Sequence, residues 1–184
     1  VGTSFLSGTN TIVIKSGKSV LLGGAVNAQG GSVSLIAGNN ILNQSGAAAI
    51  TGASNLTLKA DSGSIGSEGS AIKWTAAGSS DKQLNLTATA GKSIYIDAKN
   101  LNSGAAVSGS LNAGETVSAE FRGGVDLNSL SGQKLSLVSQ EGGINIKSLD
   151  HKEASDLSQR LDLTAAGDIS LKSVGDISVG QIST

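Results

Sequence analysis

The chain is 184 residues long, with 13 Lys and Arg against 14 Asp and Glu and a net charge of −1, a balance without basic runs that argues against electrostatic capture of nucleic acid or anionic membrane. The absence of Cys removes a disulfide framework, a thiolate metal site and a cysteine nucleophile; no apolar stretch is long enough to span a bilayer. Twenty-six Gly, no Pro and four aromatics (Phe5, Trp74, Tyr95, Phe121) describe an ordered interior of small aliphatic side chains with frequent tight turns, which excludes a collagen-like or disordered chain.

In chain order, one pattern keeps returning: an apolar-polar-apolar triplet, then Ala or Ser with Gly, then a second triplet. Val33-Ser34-Leu35 leads to Asn40-Ile41-Leu42, Leu56-Thr57-Leu58 to Ser64-Ile65, and Leu84-Asn85-Leu86 to Ile94-Tyr95-Ile96. Val117-Ser118-Ala119 followed by Val125-Asp126-Leu127 reads as a degenerate copy. Leu135-Ser136-Leu137 then leads to Ile144-Asn145-Ile146, and Leu161-Asp162-Leu163 to Ile169-Ser170-Leu171. Period-two alternation predicts strands with one buried face. Self-similarity at one approximate length predicts a solenoid, in which each unit buries its apolar face only against its neighbours.

The first triplets, at Val33, Leu56, Leu84, Leu135 and Leu161, start 23, 28, 51 and 26 residues apart, the interval of 51 being read as two units. Most of these units are shorter than the roughly 30 residues of a strand-helix-strand crossover, yet long enough for three short strands. The third strand is read in Ala48-Ala49-Ile50, Ala71-Ile72-Lys73-Trp74, Ala105-Ala106-Val107 and Ile177-Ser178-Val179. Corners are placed at Ala37-Gly38-Asn39-Asn40, Ala90-Gly91-Lys92, Glu141-Gly142-Gly143 and Ala166-Gly167-Asp168, since Gly and Asn accept tight turns. The expected fold is all-β: a right-handed parallel β-helix (β-solenoid) of about six to seven coils, each of three short strands. It forms one segment over residues 1–184, with 149–160, the most charged stretch, as a loop excursion in which Ala154, Leu157 and Leu161 have helical spacing. An antiparallel sandwich is the structural alternative.

Candidate chemistry is sparse. His151 is the only His, so it can complete no imidazole pair, and its expected place is an exposed loop. Asp168 and Asp176 occupy similar positions in what read as successive turns, where stacking would align them; outward acids of this kind ordinarily solubilise. Gly123-Gly124-Val125-Asp126 lacks the third Gly of a calcium-binding nonapeptide and does not repeat. Gly63-Ser64-Ile65-Gly66-Ser67-Glu68-Gly69 has no Lys-Ser/Thr after it and reads as a turn, not a phosphate cradle. No catalytic residue, metal ligand or cofactor site is expected. Trp74 shares parity with Ile72 and is expected inside; Tyr95 opposes Ile94 and Ile96 and is expected outside. Tyr95, His151 and Arg160 are the candidate ligand contacts, the last two from the charged excursion.

The unit Leu84-Asn85-Leu86-Thr87-Ala88-Thr89-Ala90-Gly91-Lys92-Ser93-Ile94-Tyr95-Ile96 resembles the repeats of filamentous haemagglutinin-like, two-partner-secreted exoproteins. So do Leu161-Asp162-Leu163-Thr164-Ala165-Ala166-Gly167-Asp168-Ile169-Ser170-Leu171 and Leu56-Thr57-Leu58-Lys59-Ala60-Asp61-Ser62-Gly63-Ser64-Ile65-Gly66. The resemblance covers most of the chain from about Val33 onward and implies a right-handed β-helix in a long adhesin or toxin-carrying stalk, exported through a dedicated outer-membrane transporter. The family's Asn-Pro-Asn-Leu secretion motif is absent, so an interior or distal piece of the stalk is expected.

The expected function is therefore a non-catalytic structural or binding stalk segment of a large bacterial adhesin, secreted or at the Gram-negative cell surface. Its expected partners are a host-cell or bacterial surface glycan or protein, the outer-membrane partner transporter during export, and copies of itself paired end to end through open strand edges. No nucleic acid and no membrane span are expected. The alternatives are the stalk of a contact-dependent toxin-delivery exoprotein, or a β-helical polysaccharide-degrading enzyme.

Overall fold

The computed structural model describes residues 6–7, 11–44, 46, 49–75, 83–153, 156 and 158–184, and among these it is all-β, without a helix. Phe5, Ala48, Ala154 and Leu157 lie outside the described residues. After β1 (Leu6–Ser7) come β2 (Thr11–Ser16), β3 (Val20–Leu22) and β4 (Val26–Asn27), then β5 (Ser32–Ala37), β6 (Ile41–Asn43) and β7 (Ala49–Thr51). The next coil holds β8 (Asn55–Ala60) and β9 (Ile72–Thr75), with a single bridge at Ile65 between them. From there each coil has two strands: β10 (Gln83–Ala90) and β11 (Ile94–Ala98), β12 (Ala106–Ala113) and β13 (Thr116–Phe121), β14 (Val125–Gly132) and β15 (Lys134–Ser139). The last are β16 (Ile144–His151) with β17 (Leu161–Ala165), and β18 (Ile169–Ser173) with β19 (Val179–Ser183).

All sheet pairings are parallel, each strand pairing with its equivalent one coil away, which makes the chain a β-solenoid of about seven turns. A nine-stranded sheet runs β1-β4-β7-β9-β11-β13-β15-β17-β19, and an eight-stranded sheet runs β2-β5-β8-β10-β12-β14-β16-β18. The third side is short: β3 pairs with β6, and only the bridges Ile41 to Ile65 and Ile65 to Ile94 continue it. Three strands per coil thus hold for the N-terminal coils, and two for the rest.

The reason is coil length. Register partners lie 21 residues apart from Ile12 to Val33, 23 from Val33 to Leu56 and 30 from Leu56 to Leu86. The interval falls to 18 from Val107 to Val125 and 19 from Val125 to Ile144, where the chain has residues for two strands and two corners only. The repeat also changes sheet. Val33, Leu56 and Leu84 lie in the eight-stranded sheet and continue as Val107, Val125 and Ile144. Leu135 and Leu161 instead follow Ile94 and Val117 in the nine-stranded sheet. The interval of 51 residues is therefore not two units, because an inward-alternating triplet looks the same in either sheet. Of the expected third strands, Ala49-Ile50 and Ile72-Trp74 join the nine-stranded sheet and Ala106-Val107 opens β12.

The core is one apolar column between the sheets. Leu56, Leu58 and Ala60 point in from β8, and Leu84, Leu86, Ala88 and Ala90 from β10. Each buried Leu or Ile contributes roughly 1.5–3 kcal/mol. In one inner row of the nine-stranded sheet, Phe121 lies between Ala98 and Ser139, so a ring fills the space its small neighbours leave. Corners stack as closely as strands. Gly38 donates to Ser16 O at 2.9 Å and Gly91 to Ala60 O at 2.9 Å, and a Cβ on Gly91 would come within 2.6 Å of Asp61 O.

The excursion expected over 149–160 is shorter than its sequence implied. Leu149, Asp150 and His151 belong to β16, Lys152 still donates to Gly132 O at 2.9 Å, and Arg160 O already accepts from Leu135 at 2.9 Å. Asp168 and Asp176 do not stack. Asp168 precedes β18 and Asp176 precedes β19, on different corners of one coil.

Candidate functional site: a groove beside Tyr95

Two outer faces result, and they differ in what their side chains are doing. On the eight-stranded sheet, Asn55, Asn85, Ser108, Asp126 and Asn145 share one outward row. Most are hydrogen-bonded to one another: Asn85 Nδ2 donates to Asn55 Oδ1 at 3.0 Å, Ser108 Oγ to Asn85 Oδ1 at 2.9 Å and Asn145 Nδ2 to Asp126 Oδ1 at 2.9 Å. Lys147 Nζ adds an ion pair to Asp126 at 3.0 Å. Such ladders stabilise the stack and leave little capacity for a ligand.

At the corner between the sheets, Glu141 accepts from Arg122 Nε at 2.7 Å and from Ser103 Oγ at 2.9 Å. The Arg122 hydrogen bond, more than any other cause, holds the Glu141 carboxyl below its ordinary value. This carboxylate ties three coils together.

The nine-stranded sheet carries a groove. Its floor is the outward row Tyr95, Ser118, Ser136 and Asp162, from β11, β13, β15 and β17 in register. The adjoining row places Thr116 beside Lys134, and the concavity these rows share with Glu68 measures about 410 Å³. A second hollow continues from Glu68 and Tyr95 towards Asp97 and Glu120.

One wall is the turn over 66–70. Gly66, at φ +69°, donates to Ile41 O at 2.8 Å and packs against the Tyr95 carbonyl, where a Cβ would come within 2.6 Å of the oxygen. Ser67 and Ser70 then pair by reciprocal backbone hydrogen bonds of 3.1 and 3.0 Å, and Ser70 Oγ donates to Asn43 O at 2.7 Å. The turn is thereby pinned at both ends, with Glu68 exposed at its tip.

Tyr95 is half-buried, and its hydroxyl makes no hydrogen bond to any described residue. Asp162 commits Oδ1 to the Gln181 amide at 2.8 Å. Lys99 lies 3.5 Å from Asp97 and 3.8 Å from Glu120, so it is engaged beside the groove rather than in it. The two hollows together present Glu68, Asp97, Glu120 and Asp162 against Lys134, a predominantly negative lining. Among the described residues, no three His, Asp or Glu come together as ligands for a metal ion.

Of the candidate ligand contacts, the groove contains Tyr95 and neither of the others. Arg160 is exposed and precedes β17, next to Gly180. His151 overturns its expected exposure: it ends β16 with 7% of its surface accessible. Its Nδ1 accepts from the buried Ser178 amide at 3.2 Å, which puts the proton on Nε2, and Nε2 donates to Gln133 O at 2.8 Å. Both ring nitrogens are used to clamp β19 and the β14–β15 corner, so the imidazole is structural. The charged neighbours Asp150, Lys152 and Glu153 made it look like a loop residue, but β16 runs three residues further than its triplet.

Replacing His151 by Ala is expected to destabilise the last coil by about 1–3 kcal/mol, since it leaves buried backbone groups unpaired. Amide hydrogen exchange checks this: protection falls at Ser178 and along β19, while β12 and β14 are unchanged.

The fold and groove together define a parallel β-solenoid with a polar, aromatic-edged groove on one flank. Comparison with models of known protein families, with characterised proteins and with solved structures gives no match.

Proposed function

We propose that this chain is a non-catalytic stalk segment of a large bacterial adhesin of the filamentous haemagglutinin-like kind, secreted or held at the Gram-negative cell surface. The observation that carries the reading is the side-on groove, assembled from four successive coils of a rod that grows by parallel stacking. A solenoid of this kind adds length coil by coil while its outward side chains vary independently of the core. The partners under this reading are a surface glycan or protein and, during export, an outer-membrane transporter. End-to-end pairing of copies through the open edges of β18 and β19 belongs to the same proposal.

The test is binding of the labelled 184-residue chain to intact host and bacterial cells. Saturable binding supports display by the stalk, and its absence from every surface overturns the binding role. One observation favours a second reading, polysaccharide cleavage: Glu68 and Asp162 share the groove with an aromatic ring, and paired carboxylates are the equipment of glycoside hydrolysis. Release of reducing ends from a polysaccharide by the purified chain would replace the stalk reading with that one.

A further inference from the structure

We infer that the groove over β11, β13, β15 and β17 binds a short uncharged or amine-bearing glycan laid along the rod axis, with Tyr95 as its stacking platform. The inference deepens the stalk reading and rests on it. Three features of the groove select this ligand class.

The first is the floor. Tyr95, Ser118, Ser136 and Asp162 repeat at the strand spacing of about 4.8 Å, so polar groups recur along the axis over roughly 14 Å. That repeat is close to the length of one pyranose unit in a linear chain, and each rung meets a new set of sugar hydroxyls. The second is Tyr95 itself. An aromatic ring at the side of a polar groove offers an apolar face to the C–H groups of a sugar and a hydroxyl at its end. The Tyr95 hydroxyl has no partner among the described residues to give up on binding.

The third is charge. Glu68 at one end and Asp162 at the other are acceptors for hydroxyl or ammonium groups, with Asp97 and Glu120 adjoining, while Lys134 is the one cation in the lining. This field repels sulfated and sialylated glycans. A peptide is disfavoured on separate grounds. β11 to β17 are paired on both sides, so no edge is open for strand addition, and the groove lining around Tyr95 is hydroxyl and carboxylate rather than apolar pocket.

The experiment is a glycan array carrying neutral, amine-bearing, sulfated and sialylated members, probed with the wild type, Y95A and Y95F. The expected hits are neutral or amine-bearing glycans, weakened about tenfold in Y95A and kept within about threefold in Y95F. Y95F retains the ring, so it guards against a Y95A variant that fails to fold. Tyr95 is the only Tyr, so its ring resonances report contact directly when the best array hit is titrated in. Hits that are only sulfated or sialylated, no hits, or hits unchanged in Y95A overturn the inference. If cells still bind in any of these cases, the stalk reading stands without this groove; if cells and glycans both fail to bind, the binding role falls with it.

Discussion

Substituting Ala for Gly109 is expected to lower the stability of the stack by about 3 kcal/mol or more, combining a disallowed backbone geometry with an unavoidable overlap. Gly109 sits in the middle of β12 at φ +146°, and a Cβ there would overlap the carbonyl oxygen of Leu86 on β10. Its position is also where register slips. Val107, Ser108 and Gly109 pair with Val125, Asp126 and Leu127, but Ser110 pairs with Ser129, leaving Asn128 bulged out of β14. The glycine thus lets two coils of different length remain parallel neighbours. Gly69 and Gly175 have nothing within 4 Å of an added Cβ and no positive φ, so Ala at either should change stability by no more than about 0.5 kcal/mol. Urea unfolding followed by far-UV circular dichroism compares the three. A Gly109→Ala midpoint equal to that of Gly69→Ala would mean that β10 can move away from β12 and that the slip does not depend on this residue.

Truncating Trp74 to Ala should cost about 4 kcal/mol, at the upper end for a buried aromatic, because its surroundings cannot close the gap. The indole is fully buried in β9 and donates from Nε1 to Ala53 O at 3.1 Å. One coil below lies Ile50; one coil above, in register through Ile72 and Ile96, comes Ala98. Neither neighbour is free to move, since each is fixed by its own strand pairing at the spacing of the sheet. Trp74→Phe keeps most of the volume and loses the hydrogen bond, so it should fall between Ala and wild type, near 1–2 kcal/mol. Thermal unfolding of the three proteins by circular dichroism measures the order. A Trp74→Ala loss below that of Trp74→Phe would show the corner to be loosely packed.

The candidate site was only partly legible before the fold was known. The parity of Ile94-Tyr95-Ile96 placed Tyr95 outside, and that of Ile72 and Trp74 placed the indole inside, as found. Glu68 was missed as a neighbour of Tyr95, because 26 residues separate them and the segment around it reads only as a turn. Ser118, Ser136 and Asp162 were visible as outward residues of their triplets, but nothing local says that they follow Tyr95 in one row. His151 was misjudged for a related reason: its charge-rich neighbours are a local signal, and its two hydrogen-bond partners come from residues 133 and 178.

By itself the sequence determined the class of fold, since period-two triplets of Leu, Ile and Val punctuated by Gly allow a buried face only if coils stack in parallel. It also determined which side of each strand faces inward, because alternation is a property of the strand alone. Which coils keep a third side, which sheet each triplet joins, and which outward residues form a common groove were decided only in the tertiary structure. Those features depend on register between strands 18 to 30 residues apart. That register is set by coil length, the bulge at Asn128 and the close approach at Gly109, and none of these alters the local alternation from which strands are read.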